Sequence, residues 1–164
     1  MVVRFSATHP EAEVRAKSII SIAPPIFDNK INLNIFKLPE SILWLIRPIL
    51  SARARELILG PHADLSLIEQ ESALSSTNPV HMFRSYYLGI DPKLFNIENL
   101  NRKLKIKILF ISANYDKICP HEGVLKWSNH FQTQVARLEN CGHQCMQEDP
   151  KQVNETIKQF LDQI

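Results

Sequence analysis

An aspartate and a histidine stand where two apolar runs give way to polar loops. The first run is Lys105-Ile-Lys-Ile-Leu-Phe-Ile-Ser112, followed by Ala113-Asn-Tyr-Asp116, and the second is Val135-Ala-Arg-Leu138, followed by Glu139-Asn-Cys-Gly-His143. If both runs are parallel strands of one sheet, Asp116 and His143 emerge together at its C-terminal edge, where open α/β sheets place their ligands. A carboxylate beside an imidazole there can fix the tautomer of a general base. The same loops hold Cys119, His121, Cys141 and Cys145, so a zinc site that includes His143 is a second chemistry open to them. Their spacings, C-x-H and C-x-H-x-C, lack the tighter ligand pairs usual for zinc, and we expect no metal. Neither Cys119 nor Cys145, nor Ser6 nor Ser112, lies at a strand-to-helix elbow, so none of them is expected to be a nucleophile.

The elements that would position these residues can be read from pattern. From Ile106 onward the order is strand, helix, strand, helix, and parallel strands joined by crossover helices are its simplest solution. The helix after Pro120 carries Val124, Trp127 and Phe131 on one face. The last helix opens at Asp149-Pro150 with a stripe of Val153, Ile157, Phe160, Leu161 and Ile164, all expected in the core. Upstream, Met1 to Ala7 is helix-compatible and ends at Thr8-His9-Pro10, and Ser18 to Ala23 reads as a short buried strand closed by Pro24-Pro25.

Residues 26 to about 100 are helical in character. Expected helices are Pro39 to Ile46, kinked or ended by Pro48; Ser51 to Leu59, closed at Gly60; His62 to Leu74; and Val80 to Leu88, with Asn78-Pro79 before it and Gly89 as its C-cap. Asp91 to Leu104 is polar and irregular. The run Ile42-Leu-Trp-Leu-Ile46 with Pro48-Ile-Leu50 could line an acyl pocket or make a peripheral membrane contact, but packing against the core is the expectation.

Composition narrows the function classes. The 164 residues are 45% hydrophobic and 22% charged, an ordinary globular balance with room for one core. A net charge of +2, with Lys and Arg dispersed, gives no surface for nucleic acid. Three clustered cysteines make no disulfide framework, and with no signal pattern or spanning run a soluble, cytoplasmic protein is expected. Only four glycines are present, at 60, 89, 123 and 142, and their spacing excludes G-x-S-x-G, the G-x-x-x-x-G-K phosphate loop and the G-x-G-x-x-G dinucleotide fingerprint. No cofactor is expected.

Taken in order, these segments resemble the C-terminal part of an α/β-hydrolase. The resemblance rests on His9-Pro10-Glu11, Ala23-Pro24-Pro25, the helical insert, Ala113-Asn-Tyr-Asp116 with Pro120, and Gly142-His143 with Glu148 and Pro150. It implies an α/β fold with core at 1–25 and 101–164 and an inserted helical cap at 26–100, the cap being similar to those of lipase-like and epoxide-hydrolase-like members. It further implies that Asp116 orients His143 as base, that the nucleophile lies about five residues before Met1, and that this chain is inactive alone. Ala113 departs from the glycine usual in the family. The implied substrate of the parent is a small-molecule ester or lipid with an apolar acyl group. Two alternatives accompany it: an epoxide-hydrolase-like parent with an Asp nucleophile, in which Tyr86 and Tyr87 polarise the epoxide, and a non-catalytic isoform that binds a partner through the cap. In the family's topology, the edge of the Ser18 to Ala23 strand would be left unpaired and open to self-association.

Overall fold

The computed structural model describes residues 16–24, 33–89 and 105–164. Expectations for Met1 to Ala7, His9-Pro10-Glu11, Pro25 and Asp91 to Leu104, and for the side chains of Tyr86 and Tyr87, fall outside the described residues.

Three parallel strands form the sheet: β1 (Ser18–Ile22), β2 (Lys107–Ala113) and β3 (Gln134–Leu138), in the order β1-β2-β3. β2 is central because its sequence can be buried on both faces. Ile108 and Phe110 point into one apolar layer with Ile19, Val124, Trp127 and Phe131, whereas Leu109, Ile111 and Ala113 point into another with Leu138, Val153 and Phe160. A near-continuous apolar run is what a doubly covered parallel strand requires. Register places Ile20 beside Leu109 and Ala113 beside Leu138, so β2 and β3 finish together. β1, expected to be buried, is mostly half-buried: Ile19 alone of its residues is in the core, and it lies at the edge of the described sheet.

Helices cover both faces. Helices at His121–Phe131 (α5) and Pro150–Leu161 (α7) supply the two layers, and a short turn of helix at Cys145–Glu148 (α6) precedes α7. The Val124, Trp127 and Phe131 face of α5 is buried as expected. In α7 the stripe is narrower than the sequence suggested: Val153 and Phe160 are buried and Ile157 packs beside them, but Leu161 and Ile164 are half exposed. Leu161 lies about 100° around the helix from Phe160, and Ile164 lies beyond the last helical turn.

Between β1 and β2 runs a block of helices: a 3-10 turn (Leu33–Lys37), α1 (Glu40–Leu45), α2 (Arg47–Ile58), α3 (Leu65–Thr77) and α4 (Val80–Gly89). Pro48 does not end a helix here. The chain breaks at Ile46 and restarts at Arg47, with Pro48 in the first turn of α2, where its missing N–H costs nothing. The third helix starts at Leu65, later than expected, and runs on to Thr77; Gly89 is the last residue of α4, not a left-handed cap.

The larger correction concerns the apolar run. Of Ile42 to Ile46 only Leu43 is buried, while Ile42, Trp44, Leu45 and Ile49 are exposed, Trp44 at 68% and Leu45 at 73%. Five consecutive apolar residues encircle a helix, so one contact face covers only part of them. Among the described residues no helix is long and apolar enough to cross a membrane.

The two-sided burial of β2 has a measurable consequence. Phe110→Ala removes a fully buried ring and is expected to cost about 3–5 kcal/mol, whereas Leu161→Ala, at a half-exposed position, should cost less than about 1 kcal/mol. Urea denaturation followed by circular dichroism distinguishes the two.

Candidate active site

β2 and β3 stop in register, and their loops remain hydrogen-bonded beyond the sheet. Asn114 N–H donates to Leu138 O at 3.0 Å, and Tyr115 N–H donates to Cys141 O at 3.0 Å. These two bonds carry the pairing from the strands into the loops, and the next residue along is Asp116. Ala113 sits in the core with an ordinary φ, so the residue that departs from the family's glycine needs no left-handed backbone here.

Asp116 turns back on its own loop. Its Oδ1 accepts from Ile118 N–H at 2.9 Å and Cys119 N–H at 2.7 Å, an arrangement in which a short carboxylate substitutes for a backbone turn. Its Oδ2 lies 2.9 Å from His143 Nδ1. The Asp116 side chain has no exposure and that of His143 is 29% exposed, so the pair is dry on the acid side and open on the base side. A carboxylate oxygen accepts, hence Nδ1 donates, and in the neutral ring the lone pair is then on Nε2. Among the described residues none hydrogen-bonds His143 Nε2.

The His143 loop is held from its other side by the helical block. His143 N–H donates to Ile58 O at 2.7 Å, and Gln144 N–H donates to the same oxygen at 3.3 Å, so the last turn of α2 finds its acceptor role in this loop. Glu148 completes the attachment: its carboxylate accepts from Gly142 N–H at 3.0 and 3.1 Å and from Gly60 N–H at 2.8 Å. Both glycines are required by proximity. A Cβ on Gly142 would lie 2.5 Å from Gly60 N and 2.6 Å from Ile58 O, and one on Gly60 would lie 2.8 Å from Gly142 N. Gln144 Nε2 also donates to Glu71 Oε1 at 3.1 Å, and Lys117 Nζ donates to Glu56 O at 3.1 Å. The backbone at Asn140 is left-handed, with φ 61°, a conformation asparagine tolerates better than most residues.

The remaining sequence candidates do not converge. His121 Nδ1 is 2.7 Å from Ser112 Oγ at the start of α5; burial and the charge of Arg137 lower its pKa, with Glu122 opposing. Ser112 is buried inside β2 and so cannot serve as an exposed nucleophile. Burial, with the charges of Glu148 and Asp149, pushes the Cys141 thiol up to about 11, and burial with Cys141, Asp116 and Glu148 pushes Cys145 up to about 12. Cys141 Sγ donates to Glu139 O. Of the five residues that could have formed a zinc set, Cys119 and His143 come together with Asp116, their ligand atoms lying within 4.8 Å of one another. Cys119 is fully buried, and the carboxylate oxygens of Asp116 accept from two N–H groups and lie against the imidazole.

Sequence reasoning did not find the Gly60, Glu148 and Ile58 attachments. Glu148 was legible only as part of a motif, and nothing in the sequence couples it to a glycine 88 positions away.

No family model matches the chain, and no curated protein matches it. Solved structures do. An α/β-hydrolase enzyme, MGS-M2, from a Medee basin deep-sea metagenome library superposes with a TM-score of 0.75 at 17% identity, covering 99% of this chain and 61% of that one. The esterase EaEST from Exiguobacterium antarcticum gives 0.67 at 14% identity over 89% of this chain and 57% of the other. A thermophilic esterase from Thermogutta terrifontis gives 0.64 at 14%, over 94% and 58%. The chain therefore has an α/β-hydrolase fold, and it spans about three fifths of the length of these structures.

Two measurements test the attachment and the thiols. Gly142→Ala should destabilise the protein by about 1–3 kcal/mol through overpacking against backbone that has no rotamer to yield, read by urea denaturation. The raised thiol pKa values mean that the folded state holds protons the unfolded state gives up. Their contribution is constant below the ordinary value of 9.0 and is lost as pH rises from there through about 11 and 12. The urea midpoint should fall across that interval, and Cys141→Ser with Cys145→Ala should flatten the fall. Neither thiol should react with iodoacetamide at pH 8 unless the protein is unfolded.

Proposed function

We propose that Asp116 and His143 are the orienting acid and the general base of an ester hydrolase of the serine type. The observation that carries this reading is the 2.9 Å contact between a solvent-free carboxylate and the Nδ1 of a partly exposed imidazole. In this reading the free Nε2 takes the proton of a serine hydroxyl as it attacks the carbonyl carbon of an ester. Asp116 holds the tautomer and stabilises the imidazolium, and His143 then returns the proton to the leaving alcohol oxygen. Water repeats the sequence on the acyl-enzyme and releases the acid.

The serine is not among these 164 residues, which contain no G-x-S-x-G. The helical block is the cap in this reading, and its α2 C-terminus, joined to the His143 loop through Ile58 and Glu148, sets the position of the base relative to the substrate cleft. The exposed apolar side chains of Ile42, Trp44 and Leu45 support a substrate with an apolar acyl group. Several neighbours in fold are described as esterases, which supports the same class.

The test uses a fluorophosphonate probe and a p-nitrophenyl ester on two proteins: this chain and the product of the complete reading frame that encodes it. The 164-residue chain should remain unlabelled and inactive, and the complete product should be labelled at one serine outside these residues. Within the complete product, Asp116→Asn keeps an acceptor for Ile118 and Cys119 N–H but presents an amide to His143, and should lower kcat on the order of 10³- to 10⁴-fold with little change in KM. Labelling of a serine within the 164 residues, or full activity in His143→Ala, contradicts the assignment.

A further inference from the structure

The loop that carries Asp116 leaves β2 at Ala113 and enters α5 at His121. On its entry side it is tied to β3 and to the loop after it, through Asn114 N–H to Leu138 O and Tyr115 N–H to Cys141 O. On its exit side the N–H groups of Ile118 and Cys119 go to Asp116 itself, so they fold the loop without fixing it to the sheet. A side-chain contact reaches back from that exit: Ser112 Oγ, in β2, lies 2.7 Å from His121 Nδ1, in the first turn of α5.

Both ends of this contact are firmly held. Ser112 is buried on the face of β2 that α5 covers, two residues beyond Phe110 and four beyond Ile108. A hydroxyl buried there is costly unless it is paired. Its other acceptor, Ala136 O, is 3.4 Å away, beyond the usual O–H···O range, so the imidazole is the effective partner. His121 is carried by a helix whose Val124, Trp127 and Phe131 sit in the same apolar layer as Phe110. Burial and the charge of Arg137, which lies beside Ser112 in the register of β3, lower the pKa of the ring, with Glu122 opposing, and favour its neutral form.

We propose that His121 is a positioning residue for the acid–base pair: through Ser112 it fixes the exit of the loop to the sheet and so aims Asp116 Oδ2 at His143 Nδ1, 2.9 Å away. That role presupposes the reading of Asp116 and His143 as acid and base, and adds to it a residue from outside the pair. Asp116 moves with Ile118 and Cys119, because its Oδ1 is bonded to both. Freed at its exit, this segment turns about the anchored Asn114 and Tyr115, and the contact to His143 lengthens. A hydrogen bond weakens steeply outside its narrow range of distance and angle, and a misplacement of about 1 Å at a reacting centre costs on the order of 10²-fold in rate.

Solvent exchange of the His143 Nδ1 hydrogen in the 164-residue chain, measured by NMR, tests the role without any nucleophile, so it fails or succeeds separately from the fluorophosphonate test of the hydrolase reading. His121→Ala should speed that exchange by about five- to tenfold, the scale of one neutral hydrogen bond. Ser112→Ala removes the same bond from its other end and should match it, with little added in the double variant. His121→Asn, whose amide stands close to the place of Nδ1 and can meet Ser112 again, should restore the wild-type rate. Val124→Ala loosens the same helix but keeps the bond; it should lower the urea midpoint and leave the exchange rate unchanged, which separates positioning from mere loss of stability. In the complete product His121→Ala should lower kcat by up to about 10²-fold at unchanged KM, with His121→Asn close to wild type. An exchange rate unmoved by His121→Ala, or moved equally by Val124→Ala, overturns the proposal.

Discussion

A single buried carboxylate joins the two loops on which this structure turns. The Asp116 side chain has no contact with solvent, and its oxygens accept from two backbone N–H groups of its own loop and from the imidazole of the next. Burying a charge is costly unless every lone pair of consequence finds a donor. The loop geometry provides those donors, and the sheet provides the loop geometry, because β2 and β3 end opposite each other at Ala113 and Leu138. Removing the imidazole would leave a dry carboxylate short of a partner, so the acid and the base stabilise each other's placement.

The helical block is attached at the point where the base is held. Ile58 O receives two N–H groups from the His143 loop, and Glu148 receives one from each side of the junction. The two glycines at that junction approach so closely that a methyl on either would meet backbone within 3 Å. Backbone packed against backbone transmits displacement with little slack. A shift of α2 would therefore be felt at His143 before it was felt in the sheet.

Much of this arrangement could be read from the sequence, and what could not be read has identifiable causes. Asp116 and His143 were legible because each follows an apolar run of strand length, and parallel strands deliver their C-terminal loops to one edge. The buried faces of α5 and the first part of α7 were legible from helical periodicity. Leu161 lies off the buried face of α7 and Ile164 beyond its end, so the period does not bury them, and Pro48 suits a first turn as well as a terminus. The exposure of Trp44 and Leu45 was hidden because hydrophobicity says that a side chain favours burial, not that a partner surface is there. The junction of Gly60, Gly142 and Glu148 depends on contacts across 88 positions, beyond the reach of any local pattern.

The account rests on His143 carrying its hydrogen on Nδ1 and presenting a lone pair at Nε2. Long-range proton–nitrogen correlation of the imidazole, recorded near neutral pH on the wild type and on Asp116→Asn, reports that tautomer directly. The neutral ring should show the Nδ1–H form in the wild type and shift toward the Nε2–H form in the variant. An Nε2–H tautomer in the wild type, or a spectrum unchanged by the substitution, would mean that Asp116 does not orient this histidine.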